Sequence, residues 1–493
     1  MMKSMEEQLK WRLENNEHEW LIVKDGFWLD IDARPFWKRT WVVQEVVLSK
    51  KVTVLCGSNR IGWAKLADAA WKLKNATQEA KQSFWDSIPG LTHLEWIDEI
   101  KKTCKTQHQM RTADLVASLR GFDATNPLDK AYGILGLIDN ATIEANYRKS
   151  VAEVYTDLME ASIAEVRSLD IICMKRDIAK LEPIPSWVPD WRYSRMVFPC
   201  HPLSLKWVSG DHLRNHLAPR DHPAVSADGT EGFAECWNAQ GSSTALCTIT
   251  RGPQHKLTVV GRMIGIINGM GDHLPFPAET LRPAFYDTLL SWEAIMLQKF
   301  GNRRSTKYPK KLSDVFDQCL TIWNEKRLGQ GVPPATGHIA LPPQALDETF
   351  GPYVEKDASL TEEACVLEAF IRTICGGRDN NWRKISAKKY ADFWSTDSNV
   401  RRTWAFELEA LQTPLNRRFI TLEGGQIGLG PVVAVENDIV AVLYGCSIPV
   451  VLRKSNNVGV TLVGECYIQG LMEGAAVEEG NSERFPEVTW VIY

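Results

Sequence analysis

The 493-residue sequence has no apolar run approaching the ~18–20 residues of a membrane span. The nearest candidate, Ile439 to Leu452, is interrupted by Gly445, Ser447 and Pro449, which read as a turn between two strands. The stretch Met1 to Trp20 is polar and acidic, unlike a secretory signal or an Arg-rich transit peptide. Basic charge is not in excess either. Lys and Arg number 57 against 61 Asp and Glu, a net charge of −4, which argues against a nucleic-acid partner held by bulk charge. The 11 cysteines include no Cys-x-x-Cys pair, which suits reduced thiols and a cytoplasmic setting better than a disulfide framework.

Catalytic signatures are also missing. There is no Walker sequence, no Gly-x-Ser-x-Gly elbow, no His-Glu-x-x-His and no kinase set. Gly424, Gly425, Gly428 and Gly430 invite a phosphate-loop reading, but Pro431 and a β-branched run follow where a helix N-terminus is needed. A hairpin turn is the better expectation. His212 and His216 sit four apart, with Cys200, His201, His222, Cys236 and Cys247 nearby, yet the spacings match no zinc module. Solvated loop histidines, and no bound metal, are expected.

Tryptophan is what the chain has in abundance: 19 residues, roughly three times an average complement. Around these the sequence divides coarsely. Residues 1–70 alternate helix and strand signals, and Trp37, Trp41, Glu45 and Leu48 fall at helical spacing over Phe36 to Leu48. Residues 71–200 are mainly helical. There Ser150 and Glu153 form a capping box for a helix over Val151 to Ala164, and Asp129 charges or caps a helix N-terminus. Pro183, Pro185 and Pro189 predict a rigid extended segment around Trp187 and Trp191, with Asp190 bonding a neighbouring amide or indole N–H. Residues 201–280 read as an irregular insertion with short strands near Leu246–Thr250 and Leu257–Val260. Residues 281–414 read as helical, and 415–493 as a small β module. The fold class is therefore α+β, with a small antiparallel barrel-like module near the C-terminus.

Glu45 is the one carboxylate with an argument for chemistry. On a helix face shared with two Trp it loses solvation, which raises a carboxyl pKa and suits an acid or a group holding a ribose hydroxyl. The competing reading is a structural ion pair with Arg39 or Lys38, or simple exposure.

Four stretches together resemble the fungal heterokaryon incompatibility (HET domain) proteins. Phe36 to Glu45 is similar to the family's closing block through Arg39, Trp41, Gln44 and Glu45. Asn126 to Leu137 resembles the Pro-Arg-Asp-Lys block through Asp129, Lys130, Tyr132 and Gly136, with Leu128 and Gly133 departing from it. Tyr147 and Tyr155 match a following segment, and Trp187, Asp190 and Trp191 stand beside it. A C-terminal β module is matched through Gly430, Pro431, Gly445, Pro449, Arg453, Gly464, Glu465, Tyr467 and Gly470. The family's opening Tyr-x-x-Leu-Ser-Tyr-x-Trp-Gly and Trp-Ile-Asp-x-Leu-Cys-Ile-Asn-Gln blocks do not occur, so the expectation is an N-terminally truncated HET domain.

The resemblance implies self/non-self recognition and regulated cell death. It implies partners among the proteins of an incompatibility system, with no cofactor and with effector activity absent or crippled. The alternative it implies is a TIR-like NAD-cleaving enzyme using Glu45, its site completed by another chain or by missing sequence. NAD is a cofactor only under that alternative.

Overall fold

The computed structural model describes residues 34–56, 59–78, 89–107, 111–119, 121–138, 143–174, 184–192, 237–252, 255–273, parts of 288–298, 366–377, 417–455 and 459–493. The histidines at 201, 212, 216 and 222, with Cys200 and Cys236, lie outside them, as do most of the 281–414 region, Trp85, Gly57 and Ser58.

A helical unit comes first. A 3-10 turn, Pro35–Lys38, precedes α1 (Thr40–Leu48), and Arg39 between them is extended, with φ −77° and ψ 129°. The single helix expected over Phe36 to Leu48 is therefore broken. Arg39 instead forms a parallel bridge with Asp123, and Thr40 N–H donates to Asp123 O at 2.9 Å. The backbone bonds gained there replace those the helix would have made. A two-stranded hairpin, β1 (Thr53–Cys56) and β2 (Asn59–Gly62), leads into α2 (Trp63–Gln78), followed by α3 (Pro89–Gln107) and α4 (Thr112–Leu119). A short α5 (Asp129–Tyr132) and the long α6 (Val151–Val166) complete the unit.

The capping box of α6 is present: Ser150 Oγ accepts from Glu153 N at 3.3 Å, and Ser150 N donates to Glu153 Oε2 at 2.8 Å. At its other end the helix stops on Arg167 in the left-handed region, φ 50°. A 3-10 turn at Asp170–Cys173 follows. The proline-rich segment is not extended. Val188 N–H closes a turn on Pro185 O at 3.0 Å, which sinks Trp187 and Trp191 into the core. Two indole rings gain more by burial than an open chain would allow.

The second part is a mixed nine-stranded sheet. Its strands are β3 (Cys247–Thr250), β4 (Lys256–His273), β5 (Arg417–Leu422), β6 (Ile427–Pro431), β7 (Ile439–Leu443), β8 (Val450–Ser455), β9 (Gly459–Glu465), β10 (Tyr467–Ile468) and β11 (Glu487–Ile492). The glycine cluster around Gly424 and Gly425 is the β5–β6 hairpin turn, with Gly425 at φ 83°. The strand near Leu257 runs on to His273. It pairs with β3 and β11, then β7, then β5, kinked by register shifts on the way.

The barrel expectation needs correction. The β4–β7 pairing brings the sheet back on itself, but the β11–β9 seam is a single parallel pair, Ile492 with Val460, so the sheet is not a closed barrel. Nor is only one sheet face buried. Ile439, Ala441 and Leu443 of β7 join the core of the helical unit, whereas Val440 and Val442 join a second core with Ile264, Ile420, Ile468 and Phe485. The helical unit thus covers one face of the strongly curved sheet, while the sheet's own coiling fills the other. A helix α7 (Val366–Ile374) packs Phe370 against Phe419 of β5, with ring centroids 5.4 Å apart.

Candidate functional site

Alpha-1 and the Asn126–Leu137 block meet in space. Gln44 Oε1 accepts from Gly136 N at 3.3 Å, and a Cβ on Gly136 would lie 2.9 Å from the Gln44 amide carbon. A larger residue there would push the Gln44 amide aside. Arg39 anchors the same contact through its backbone bridge to Asp123, with its side chain exposed. Lys130 is buried, and its ammonium donates to Phe122 O, the residue just before that bridge. Burial lowers its pKa to about 8, and neighbouring Asp123 opposes the shift.

Asp129, in the first turn of α5, accepts from Tyr147 Oη at 2.7 Å. This bond pushes the phenol of Tyr147 up to about 12. The Tyr147 ring stands edge-on to Tyr132 at 5.1 Å, and Tyr132 Oη donates to Asn146 O at 2.9 Å. Tyr155 donates to Pro127 O at 2.9 Å and packs edge-on against Trp191 at 4.8 Å. Asp190 takes Arg192 N and grips the Arg192 guanidinium through both carboxylate oxygens. Trp187 Nε1 reaches His255 O at 3.2 Å, and Ser186 N–H donates to the backbone O of Tyr493 at 2.6 Å, so this segment joins helices to sheet.

The C-terminal motif residues are likewise spent on architecture. Arg453 makes a two-bond fork to Asp438, 2.8 Å on each arm, and a third bond to Val433 O. Glu465 pairs with Arg417 at 2.7 Å, both side chains nearly buried. Tyr467 Oη donates to Gln469 at 2.6 Å, and Pro449 O accepts from Cys466 N at 2.8 Å. Gly464 packs on Pro431, Gly430 fits against Ile420, and Gly470 holds a φ of 80°. Gly445 has φ 81° and lies directly against the Ala245 backbone, a place no Cβ fits.

Glu45 stands apart. Because the helix breaks at Arg39, Trp37 belongs to the preceding 3-10 turn, and Glu45 is solvent-exposed rather than desolvated among aromatics. It lines a cleft of about 610 Å3, shared with Phe36, Trp37, Lys51, Leu55 and Leu66. Leu55 is 73% exposed at this cleft. Beneath α1, Lys101 is buried and donates to the carbonyls of Val46, Val47 and Ser49, a cation placed on the negative end of a helix. Nothing in the sequence pattern marks Lys101 for that role. Among the described residues no cluster of His, Cys, Asp and Glu could hold a metal, and no helix is long and apolar enough to cross a membrane.

The seam between helical unit and sheet was also hidden in the sequence. Asp170 Oδ1 accepts from both Ser447 N (2.6 Å) and Ser447 Oγ (2.7 Å), and Leu169 N–H donates to Gly445 O at 2.7 Å. These residues are 277 and 276 apart in the chain, so no local spacing announces them.

Residues 386–487 match the model of the Het-6 beta-barrel domain family. The chain is also 21% identical, over 512 aligned positions, to heterokaryon incompatibility protein 6, OR allele, of Neurospora crassa. That alignment covers 92% of this chain and 66% of the relative, so the chain spans slightly under two thirds of that protein's length. No solved structure matches. Both matches liken the chain to fungal heterokaryon incompatibility proteins, one through its C-terminal part and the other over most of its length.

Proposed function

We propose that this protein acts in fungal self/non-self recognition through protein–protein contact, and that it carries no HET effector chemistry of its own. The observation behind this reading is the commitment of four charged motif side chains to the fold. Asp129 is bound by Tyr147, Asp190 by Arg192, Glu465 by Arg417 and Arg453 by Asp438. A carboxylate already satisfied by a fixed partner is poorly placed to move protons on a substrate. The relative's name supplies the biological setting, incompatibility between fungal strains, and regulated cell death is the outcome such recognition would trigger.

A second reading, an NAD-cleaving enzyme completed by another chain, is favoured by one feature. Glu45 lies on the wall of the cleft between α1 and β1, beside Trp37 and Phe36. An exposed carboxylate there could hold a ribose hydroxyl or steady oxocarbenium character at the anomeric carbon. The two readings separate on incubation of purified protein with NAD while nicotinamide release is followed. No release is expected. Release abolished by Glu45→Ala would overturn the first reading in favour of the second.

A further inference from the structure

The seam between helical unit and sheet contains two thiols. Cys446 lies between Gly445, whose carbonyl takes Leu169 N–H, and Ser447, whose N–H and hydroxyl both bind Asp170. Cys173 closes the 3-10 turn that Asp170 opens. The result is a Cys173–Cys446 Sγ–Sγ separation of 3.6 Å across 273 residues of chain. Cys446 Sγ in turn donates to Ile448 O at 3.2 Å. Both cysteines are free and buried.

We propose that Cys173 and Cys446 form a redox latch, in which oxidation by a peroxide joins them as a disulfide and fixes the helical unit covalently to the sheet. The sulfurs must approach by only about 1.6 Å to reach the ~2.05 Å of an S–S bond. The chemistry balances in two steps. The Cys173 thiolate attacks one peroxide oxygen, the O–O bond breaks, and sulfenic acid and hydroxide form. The Cys446 thiol then attacks the sulfenic sulfur, the S–O bond breaks, and water leaves. Two thiols and one hydrogen peroxide thus give one disulfide and two waters.

The resting pair resists this reaction. The bond to Cys446, together with burial, holds the Cys173 thiol well above its ordinary pKa, which keeps it protonated and unreactive. Oxidation therefore waits on opening of the seam, when Cys173 meets water and ionises. Closure then brings Cys446 back onto the sulfenic acid. The latch records an opening event under oxidising conditions, and nothing in it depends on the incompatibility role.

The test uses the full-length chain, purified reduced, exposed to hydrogen peroxide, then denatured, alkylated and mapped by mass spectrometry. The expected product is a peptide pair joining Cys173 and Cys446, two hydrogens lighter than the free peptides and separated by dithiothreitol. The oxidised protein should also melt at higher temperature and migrate faster on a non-reducing gel. Cys446→Ser should remove the cross-linked pair while its circular dichroism stays that of the parent. Recovery of both cysteines fully alkylated while half-exposed Cys56 and Cys104 are oxidised would overturn the proposal, as would Cys446 joined to Cys466 instead. The mapping of the unmutated chain decides the matter even if the variant fails to fold.

Discussion

Glu465 stands in the family-like C-terminal block, and its worth can be measured by removing only its charge. It ends β9, and Arg417, 48 residues earlier, begins β5, so the pair clips the β5–β6–β10 part of the sheet to the β7–β8–β9 part. The side chains are 11% and 5% exposed and their charged atoms lie 2.7 Å apart. With charge centres ~4 Å apart and an effective dielectric of about 20, the attraction is about 4 kcal/mol. Glu465→Gln keeps the volume but takes a close counter-charge away from a buried guanidinium, which costs about 3–5 kcal/mol. At roughly 2–4 °C per kcal/mol, the melting temperature should fall by about 6–20 °C. Replacing both partners with apolar residues, Arg417→Met with Glu465→Leu, removes the buried guanidinium as well and should recover most of the loss. Thermal melts followed by circular dichroism of the parent, both singles and the double give the coupling directly. A Glu465→Gln protein melting within a degree of the parent would refute the argument. So would a double variant no better than the sum of its singles.

Two further outcomes follow from buried groups elsewhere. Lys130 is buried with its pKa lowered to about 8, against 10.5 for the free side chain. The unfolded chain therefore binds the extra proton between those values, and stability should rise as pH climbs from about 8 to 10.5. The penalty for burying the charge is complete below pH 8, at about 3 kcal/mol on the 1.36 kcal/mol per pKa unit scale. Lys130→Met should flatten that rise relative to the parent in pH-dependent melts, and an unchanged slope would show the ammonium to be solvated. Val442 of β7 is fully buried in the inner core of the sheet, so Val442→Asp should cost several kcal/mol through an unpaired buried charge. An unaltered melting profile would mean that this face of β7 meets water.

What could be seen in the sequence was what local spacing controls. The Ser150/Glu153 capping box gave the start of α6, and the turn residues Gly445, Ser447 and Pro449 between two apolar runs gave β7 and β8. What escaped was decided at a distance. Beta-4 looked like a short strand because Gly261, Gly265, Gly269 and Gly271 interrupt its pattern, and glycine weakens a strand signal. In the fold those glycines are where other groups come close: Gly261 against the Val442 backbone, Gly271 against Trp292. Beta-11 also escaped, although Val488, Trp490 and Ile492 alternate, because its partner is β4, more than 200 residues away. The same distance effect misplaced Glu45. Helical spacing put it on one continuous helix with Trp37, but Arg39 leaves the helix to pair with Asp123, 84 residues on, so the two share a cleft while Glu45 stays exposed.

This pattern bears on how motif residues should be understood in this chain. Asp129, Asp190, Glu465 and Arg453 are chemically able groups, and a sequence comparison alone would rank them as site candidates. Each is instead held by one or more named partners, and the motif glycine Gly445 sits where a Cβ would collide with the Ala245 backbone. A fold whose sheet is covered on one face by helices and coiled around a second core on the other needs many such fixed points, because both cores must close on one register of β7. Slipping β7 by one residue would exchange Ile439, Ala441 and Leu443 for Val440 and Val442 between the two cores. Both sets are apolar, so hydrophobic pattern alone cannot forbid the slip. The Arg453–Asp438 fork across β8 and β7, and the Asp170–Ser447 bonds just past the end of β7, supply the polar pins that do. Arg453 of the C-terminal block is thus explained as a register lock, a role that demands its guanidinium.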